Sequence, residues 1–207
     1  MEKRVIITIS REYGSGGREI GRKLAEQLGI PYYDNELISL AAKESGFDSD
    51  LFEEADQRKT TDFFYSMAAF GNTAGVYNIP LNDQVFVIQS DVIRSEAKKG
   101  SCVIVGRCAD YVLSDDPDCV NIFINADLDA KLKRAVEVYK LPADKAESLL
   151  TKTDKRRASY YAYYSNKKWG RADNYHLCIN SGSVGIDASV EIIKSYILAW
   201  MDQKAAE

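Results

Sequence analysis

Residues 10–21 read Ser-Arg-Glu-Tyr-Gly-Ser-Gly-Gly-Arg-Glu-Ile-Gly. An apolar run, Val5-Ile6-Ile7-Thr8-Ile9, precedes them, and a helical pattern with Ile20, Leu24 and Leu28 at every fourth place follows. A glycine-rich turn between a strand and a helix start surrounds an anion with backbone N–H groups, and the helix dipole adds to their pull. Gly14, Gly16 and Gly17 permit the tight path, and Ser15 adds a hydroxyl. Glycines around a serine also make plain turns. The position between a strand and an amphipathic helix raises this stretch to a candidate phosphate cradle.

The standard phosphate-binding loop is G-x-x-x-x-G-K-[ST]. With its second glycine at Gly16, the first glycine falls on Arg11, the lysine on Gly17 and the hydroxyl residue on Arg18. Three of four defining places are therefore changed. A dinucleotide fingerprint, G-x-G-x-x-G, fits Gly14 and Gly16 but meets Glu19 at its third glycine. Asp34 lies where a ribose-binding acid would be, so a nicotinamide-binding oxidoreductase is one alternative. The long turn from Ser10 to Tyr13 favours the phosphate loop.

The elements that must position these residues alternate. Strand-like runs fall at 5–9, 102–105, 119–124 and 175–179, with a weaker one at Pro31-Tyr32-Tyr33. Each is short and nearly continuous in apolar residues, as in strands covered on both faces. Gly29 and Pro31 stop the first helix, and Val190, Ile193, Ile197 and Trp200 form an apolar stripe near the end. Such alternation implies a parallel sheet with helices on both faces and ligands beyond the carboxyl ends of the strands. Residues 48–83 read as an inserted helical segment with a loose loop, and 142–174 as a helical segment rich in tyrosine and basic residues. Both are candidate flaps over those strand ends.

Composition narrows the function. The chain has 207 residues, enough for one domain with a real core. The net charge of -4 argues against general nucleic-acid binding, so positive charge for an anionic ligand must be concentrated locally. No apolar run reaches the roughly 20 residues of a membrane span. The opening residues are too short in apolar character for a signal peptide, and the expected location is the cytoplasm. His176 is the one histidine, and Cys102, Cys108, Cys119 and Cys178 show no Cys-x-x-Cys spacing, which argues against zinc. Cys102, Cys119 and Cys178 sit in strand-like runs and are expected to be buried thiols.

The stretch ITISREYGSGGREIGRKLAEQLGIPYYD resembles the opening of the cytidylate kinase-like proteins, relatives of the nucleoside monophosphate kinases, in the subfamily with a Ser-Arg-Glu-Tyr-Gly-Ser-Gly-Gly loop. VIVGRCADYVL (103–113) is similar to their Gly-Arg-Asp stretch, NIFINADLDAKLKRAVE (121–137) to their fourth strand and next helix, TDKRRASYYAYYSNKKWG (153–170) to their arginine-bearing lid, and YHLCINSGSVGIDASVEII (175–193) to their last strand, base-side loop and helix.

The resemblance implies a three-layer P-loop domain spanning 1–207, with a five-stranded parallel sheet, an acceptor-side segment (48–83) and a lid (142–174). It implies transfer of the ATP γ-phosphoryl group, with Mg2+, to a nucleoside monophosphate or similar small phosphorylated acceptor. Residues 11–18 would hold the donor phosphates: Arg11, Gly14, Ser15, Gly16, Gly17 and Arg18. Arg18 is the first candidate for the missing lysine's charge and Arg11 the second. Ser15 and Asp34 are candidate metal ligands, and Asp34 could also orient the acceptor. Arg107 would contact the acceptor's phosphate, Arg134 is a substrate-side candidate by likeness to the lid-base arginine, and Asn180 and Ser181 would lie beside the donor base. Arg156 and Arg157 could neutralise transition-state charge from the lid. Cys108 replaces the family's aspartate, for which Asp110 could serve. Tyr160, Tyr161, Tyr163, Tyr164 and Trp169 could stack on a base or pack the lid or a subunit contact; a homo-oligomer is open. The rival reading is a catalytically weak nucleotide sensor on the same fold.

Overall fold

The computed structural model describes residues 4–34 and 80–206. Strand β1 (Ile6–Arg11) is followed by helix α1 (Gly17–Leu28) and a short β2 (Tyr32–Tyr33). After 80 come α2 (Leu81–Lys99), β3 (Cys102–Val105), α3 (Ala109–Val112), β4 (Cys119–Asn125), α4 (Leu128–Glu137) and α5 (Ala143–Ser165). A 3-10 turn (Ala172–Asn174) leads to β5 (Leu177–Asn180), α6 (Ser181–Val184) and α7 (Ile186–Ala206). All but the last few residues of the expected inserted segment at 48–83 lie outside the described residues.

The five strands form one sheet in the order β2-β3-β1-β4-β5, and every pairing is parallel. β3 stands between β1 and β2. A dinucleotide-binding sheet instead sets β2 beside β1, which is how its ribose acid reaches the ligand. The order therefore removes the geometric basis of the nicotinamide reading.

The continuous apolar strands are explained by cover on both faces. Ile7, Ile9, Val103, Val105, Ile122 and Ile124 pack against Ile20 and Leu24 of α1 and Val190, Ile193 and Ile197 of α7. Ile6, Cys102, Ile104 and Cys119 pack on the opposite face against Val85, Ile88, Val92 and Ile93 of α2 and Ala109 and Val112 of α3. The first helix ends as its sequence dictates: Gly29 is left-handed at φ +64°, and its N–H and that of Ile30 close on Glu26 and Ala25 carbonyls. Strand β5 begins two residues later than the apolar run suggested. It is an edge strand, so Cys178 is exposed, whereas Cys102, Cys108 and Cys119 are buried; all four are free thiols.

Helix α5 crosses the sheet's carboxyl end and is fixed from below by a buried acid. Asp110 accepts a 2.7 Å bond from the Tyr161 hydroxyl. Burial pushes the Asp110 carboxyl above its ordinary range, against the pull of that hydroxyl and of the Asp110 and Tyr111 backbone N–H groups. The folded chain thus binds this proton more tightly than the unfolded one, and the charged form lowers stability once pH rises through the raised value. Asp110→Asn keeps the acceptor and removes the charge. It is expected to be more stable than wild type at pH 7, with the gain shrinking as pH falls through the raised value and gone below pH ~3.9, the ordinary Asp pKa. Denaturant melts across that range check this; a gain that grows in acid would refute it.

Candidate phosphate-binding site

The loop runs from the end of β1 at Arg11 to the start of α1 at Gly17. Gly16 has φ +75°, where a side chain is strained, and a Cβ there would lie 2.4 Å from Ile186 Cδ1 and 3.3 Å from the Arg134 guanidinium carbon. The Ser15 hydroxyl donates to the Glu12 carbonyl at 2.9 Å and tightens the turn. Among the described residues, the N–H groups of Gly14, Gly16 and Gly17 find no acceptor. These are the donors that a helix start offers to an anion.

Ser181 braces the loop from behind. Its hydroxyl lies 2.6 Å from the buried Ser15 carbonyl and 3.0 Å from that of half-buried Asn125, so one proton serves two acceptors. Ser181→Ala is expected to cost about 1–3 kcal/mol, the penalty for leaving such acceptors unmade. A denaturant melt within about 0.3 kcal/mol of wild type would show that the brace is idle.

Cations collect around this loop. Arg11 leaves the end of β1 and lays its guanidinium on Gly106, where a Cβ would meet Nη1 at 2.5 Å. Burial, then the charges of Arg157 and Arg107, push its pKa down to about 9, with weaker support from Tyr32 and Asp34. Arg157 reaches down from α5: Nη1 donates to the Arg11 carbonyl at 2.9 Å, and its guanidinium carbon stands 5.5 Å from the centre of the Tyr13 ring. Burial lowers the Arg157 pKa as well. Arg107 follows β3 on a strained backbone. Gly106, Arg107 and Cys108 are left-handed in succession, at φ +87°, +54° and +53°. The Arg107 side chain bonds the Tyr160 hydroxyl of α5.

The sequence profile of the cytidylate kinase-like family matches residues 6–183. The chain belongs to that family. Its fold is that of the P-loop kinases. Among solved structures, an uncharacterized protein from Eubacterium ventriosum is 33% identical, covering 94% of this chain and 98% of its own, with a TM-score of 0.72. Two shikimate kinases share the fold at 14% identity. The one from Bacteroides thetaiotaomicron covers 94% of this chain and 99% of its own at TM-score 0.55. The one from Acinetobacter baumannii, solved with shikimate, covers 96% and 95% at 0.54. No protein of curated function matches the sequence.

Within this cytidylate kinase-like chain, the residues singled out by sequence fall into groups. Arg18 points to the end of β2, where its Nε and Nη2 each lie 2.7 Å from Asp34 Oδ2. Its side chain is 57% exposed while Asp34 is buried. Arg134 lies beside Gly16, paired with Glu19 and the Tyr139 hydroxyl. Asn180 caps α6 through the Gly182 N–H and donates to Asp127. Arg156 is exposed on α5, one place from the inward Arg157. The α5 tyrosines pack: Tyr164 stacks on Phe86 at 3.8 Å, and Tyr160 and Tyr163 meet Tyr164 edge-on. Trp169 meets Phe123 edge-on.

Sequence reasoning passed over an ion cluster that closes the other side of the loop. Lys131 Nζ lies 2.9 Å from Glu12 Oε2 and 3.5 Å from Asp154 Oδ2, with its side chain 13% exposed. Asp154 also accepts the Tyr13 backbone N–H at 2.7 Å. Lys131 and Arg134 stand three apart, hence on one face of α4, and that spacing was the available signal.

Proposed function

We propose that this protein transfers the γ-phosphoryl group of ATP to a nucleoside monophosphate or a similar small phosphorylated acceptor. The observation that carries the reading is the gathering of Arg11, Arg107 and Arg157 beside a loop whose amide donors find no acceptor among the described residues. Like charges repel, and their joint desolvation costs stability unless an anion of several charges repays it.

The amides of Gly14, Gly16 and Gly17 hold the donor phosphates, as an oxyanion cradle does. Arg11 and Arg157 face the transferring group, where one guanidinium is worth about 10³–10⁵ in rate. Arg107 holds the acceptor phosphate, oriented by the Tyr160 hydroxyl. Catalysis rests on positioning and charge neutralisation.

Magnesium fits this site as a companion of the triphosphate. The described residues bring no three His, Cys, Asp or Glu side chains together. Asp34 is a carboxylate at the strand end, and the Ser15 hydroxyl is turned to Glu12. Mg2+ commonly takes one or two carboxylates, substrate phosphates and water, which this donor set can supply through Asp34. When bound, the ion would neutralise phosphate charge.

The test is a panel of nucleoside monophosphates and small phosphorylated acceptors with labelled ATP and magnesium, run beside calorimetric titration with ATP. Transfer to at least one acceptor is expected. ATP binding without transfer to any would establish the sensor reading.

A further inference from the structure

In the standard loop a glycine stands at the place of Arg11 and a lysine at the place of Gly17. Here both places are changed, and the structure joins the two changes. A Cβ on Gly17 would lie 2.5 Å from Arg11 Cβ and 3.0 Å from Arg11 Cγ. Real side chains do not approach so closely, and Arg11 Cβ is bonded to the backbone of β1, so it cannot swing aside. With an arginine at the strand end, the first helical residue has room only for hydrogen. The arginine stem crosses the start of α1, and its guanidinium comes to rest on Gly106. Arg18, which follows Gly17 in the chain, is bound to Asp34.

We infer that cation and glycine have exchanged places: Arg11 supplies from the strand end the positive charge that other loops carry on the helix, and Gly17 is the space its stem requires. This rests on the phosphoryl-transfer reading for the ligand, a polyphosphate, but its steric half does not. The exchange also changes what the cation can do. An ammonium at the helix start is a compact charge on a flexible stem, whereas a guanidinium presents a planar fork that grips phosphate oxygens bidentately. It is held between β1 and β3, on the side from which an acceptor beside Arg107 would approach.

The experiment is a double-mutant cycle of Arg11→Gly and Gly17→Lys, read by thermal melting and by calorimetric titration with magnesium ATP. Gly17→Lys alone is expected to melt well below wild type and to lose nucleotide binding, although it restores the lysine of the standard pattern. Arg11→Gly alone is expected to fold and to bind magnesium ATP at least about tenfold more weakly, the loss of one charge-assisted contact. In the double variant the lysine has room. It is expected to melt near Arg11→Gly and to recover binding to within about tenfold of wild type. Equal lowering of melting temperature by Gly17→Lys in both backgrounds would overturn the exchange. So would undiminished binding by Arg11→Gly, or a double variant that binds no better than Arg11→Gly. Failure of the wild-type chain to bind magnesium ATP would instead strike the functional reading, and the melting cycle would still decide the steric half.

Discussion

An Arg107→Asn chain is expected to fold with a stability within about 1 kcal/mol of wild type and to transfer phosphoryl groups about a hundredfold to a thousandfold more slowly. The two halves have separate causes. Arg107 is a non-glycine residue at φ +54°, between Gly106 at +87° and Cys108 at +53°. A left-handed residue with an ordinary side chain costs roughly 1–2 kcal/mol, and asparagine tolerates that region because its short polar side chain bonds locally. Relief of this strain offsets the bond to the Tyr160 hydroxyl that is lost with the guanidinium. Activity has no such compensation. Removing one preorganised donor from a charge-stabilising site costs about 10²–10³ in rate. Backbone strain of this kind persists where the surroundings over-determine it, and here it aims a cation past the end of β3. Steady-state transfer assays beside denaturant melts check the result. A large loss of stability with intact turnover would assign Arg107 to the fold alone.

Much of this architecture was legible because local chemistry and long-range packing agree. Continuous apolar runs marked four strands, since a buried parallel strand needs apolar residues on both faces. Gly29 marked the end of α1, since only a left-handed residue closes that turn well. The strand order was not legible: placing β3 between β1 and β2 depends on how crossovers pack, and no residue pattern states it. The loop was legible in part. Gly14, Gly16 and Gly17 announced themselves, but Arg11 and Arg18 look equivalent along the chain. A strand end and a helix start send their side chains in different directions, so one arginine lies on Gly106 and the other meets Asp34. The pairing of Glu12 with Lys131, and of Tyr13 with Asp154, joins segments far apart in sequence, which no local pattern states. Cys178 was misjudged because an apolar run does not reveal that its strand is an edge.

That ion cluster carries the second large effect. Lys131→Met and Asp154→Asn are expected to move ATP affinity in opposite directions. Asp154 lends its carboxylate to the Tyr13 N–H and to Lys131, as a phosphate oxygen would, so the acid of α5 occupies donors at the rim of the loop. Burial raises its pKa, opposed by the Tyr13 amide and the Lys131 and Arg157 charges, so the site tolerates its negative charge only with these partners in place. On the phosphoryl-transfer reading, an incoming triphosphate takes Lys131 from it. Asp154→Asn keeps the shape and the acceptor for Tyr13, removes the competing charge, and is expected to tighten ATP binding by about threefold to tenfold, in the range of one partly screened charge contact. Lys131→Met keeps the apolar stem and removes the ammonium, and is expected to weaken binding by about tenfold or more. It also leaves Glu12 and Asp154 without their shared cation, so it melts lower than wild type. A cluster that serves only the fold predicts otherwise: both variants would lose stability, and ATP affinity would fall in both or change in neither. Titration of each variant with magnesium ATP, and with tripolyphosphate to isolate the phosphate contribution, separates the two cases.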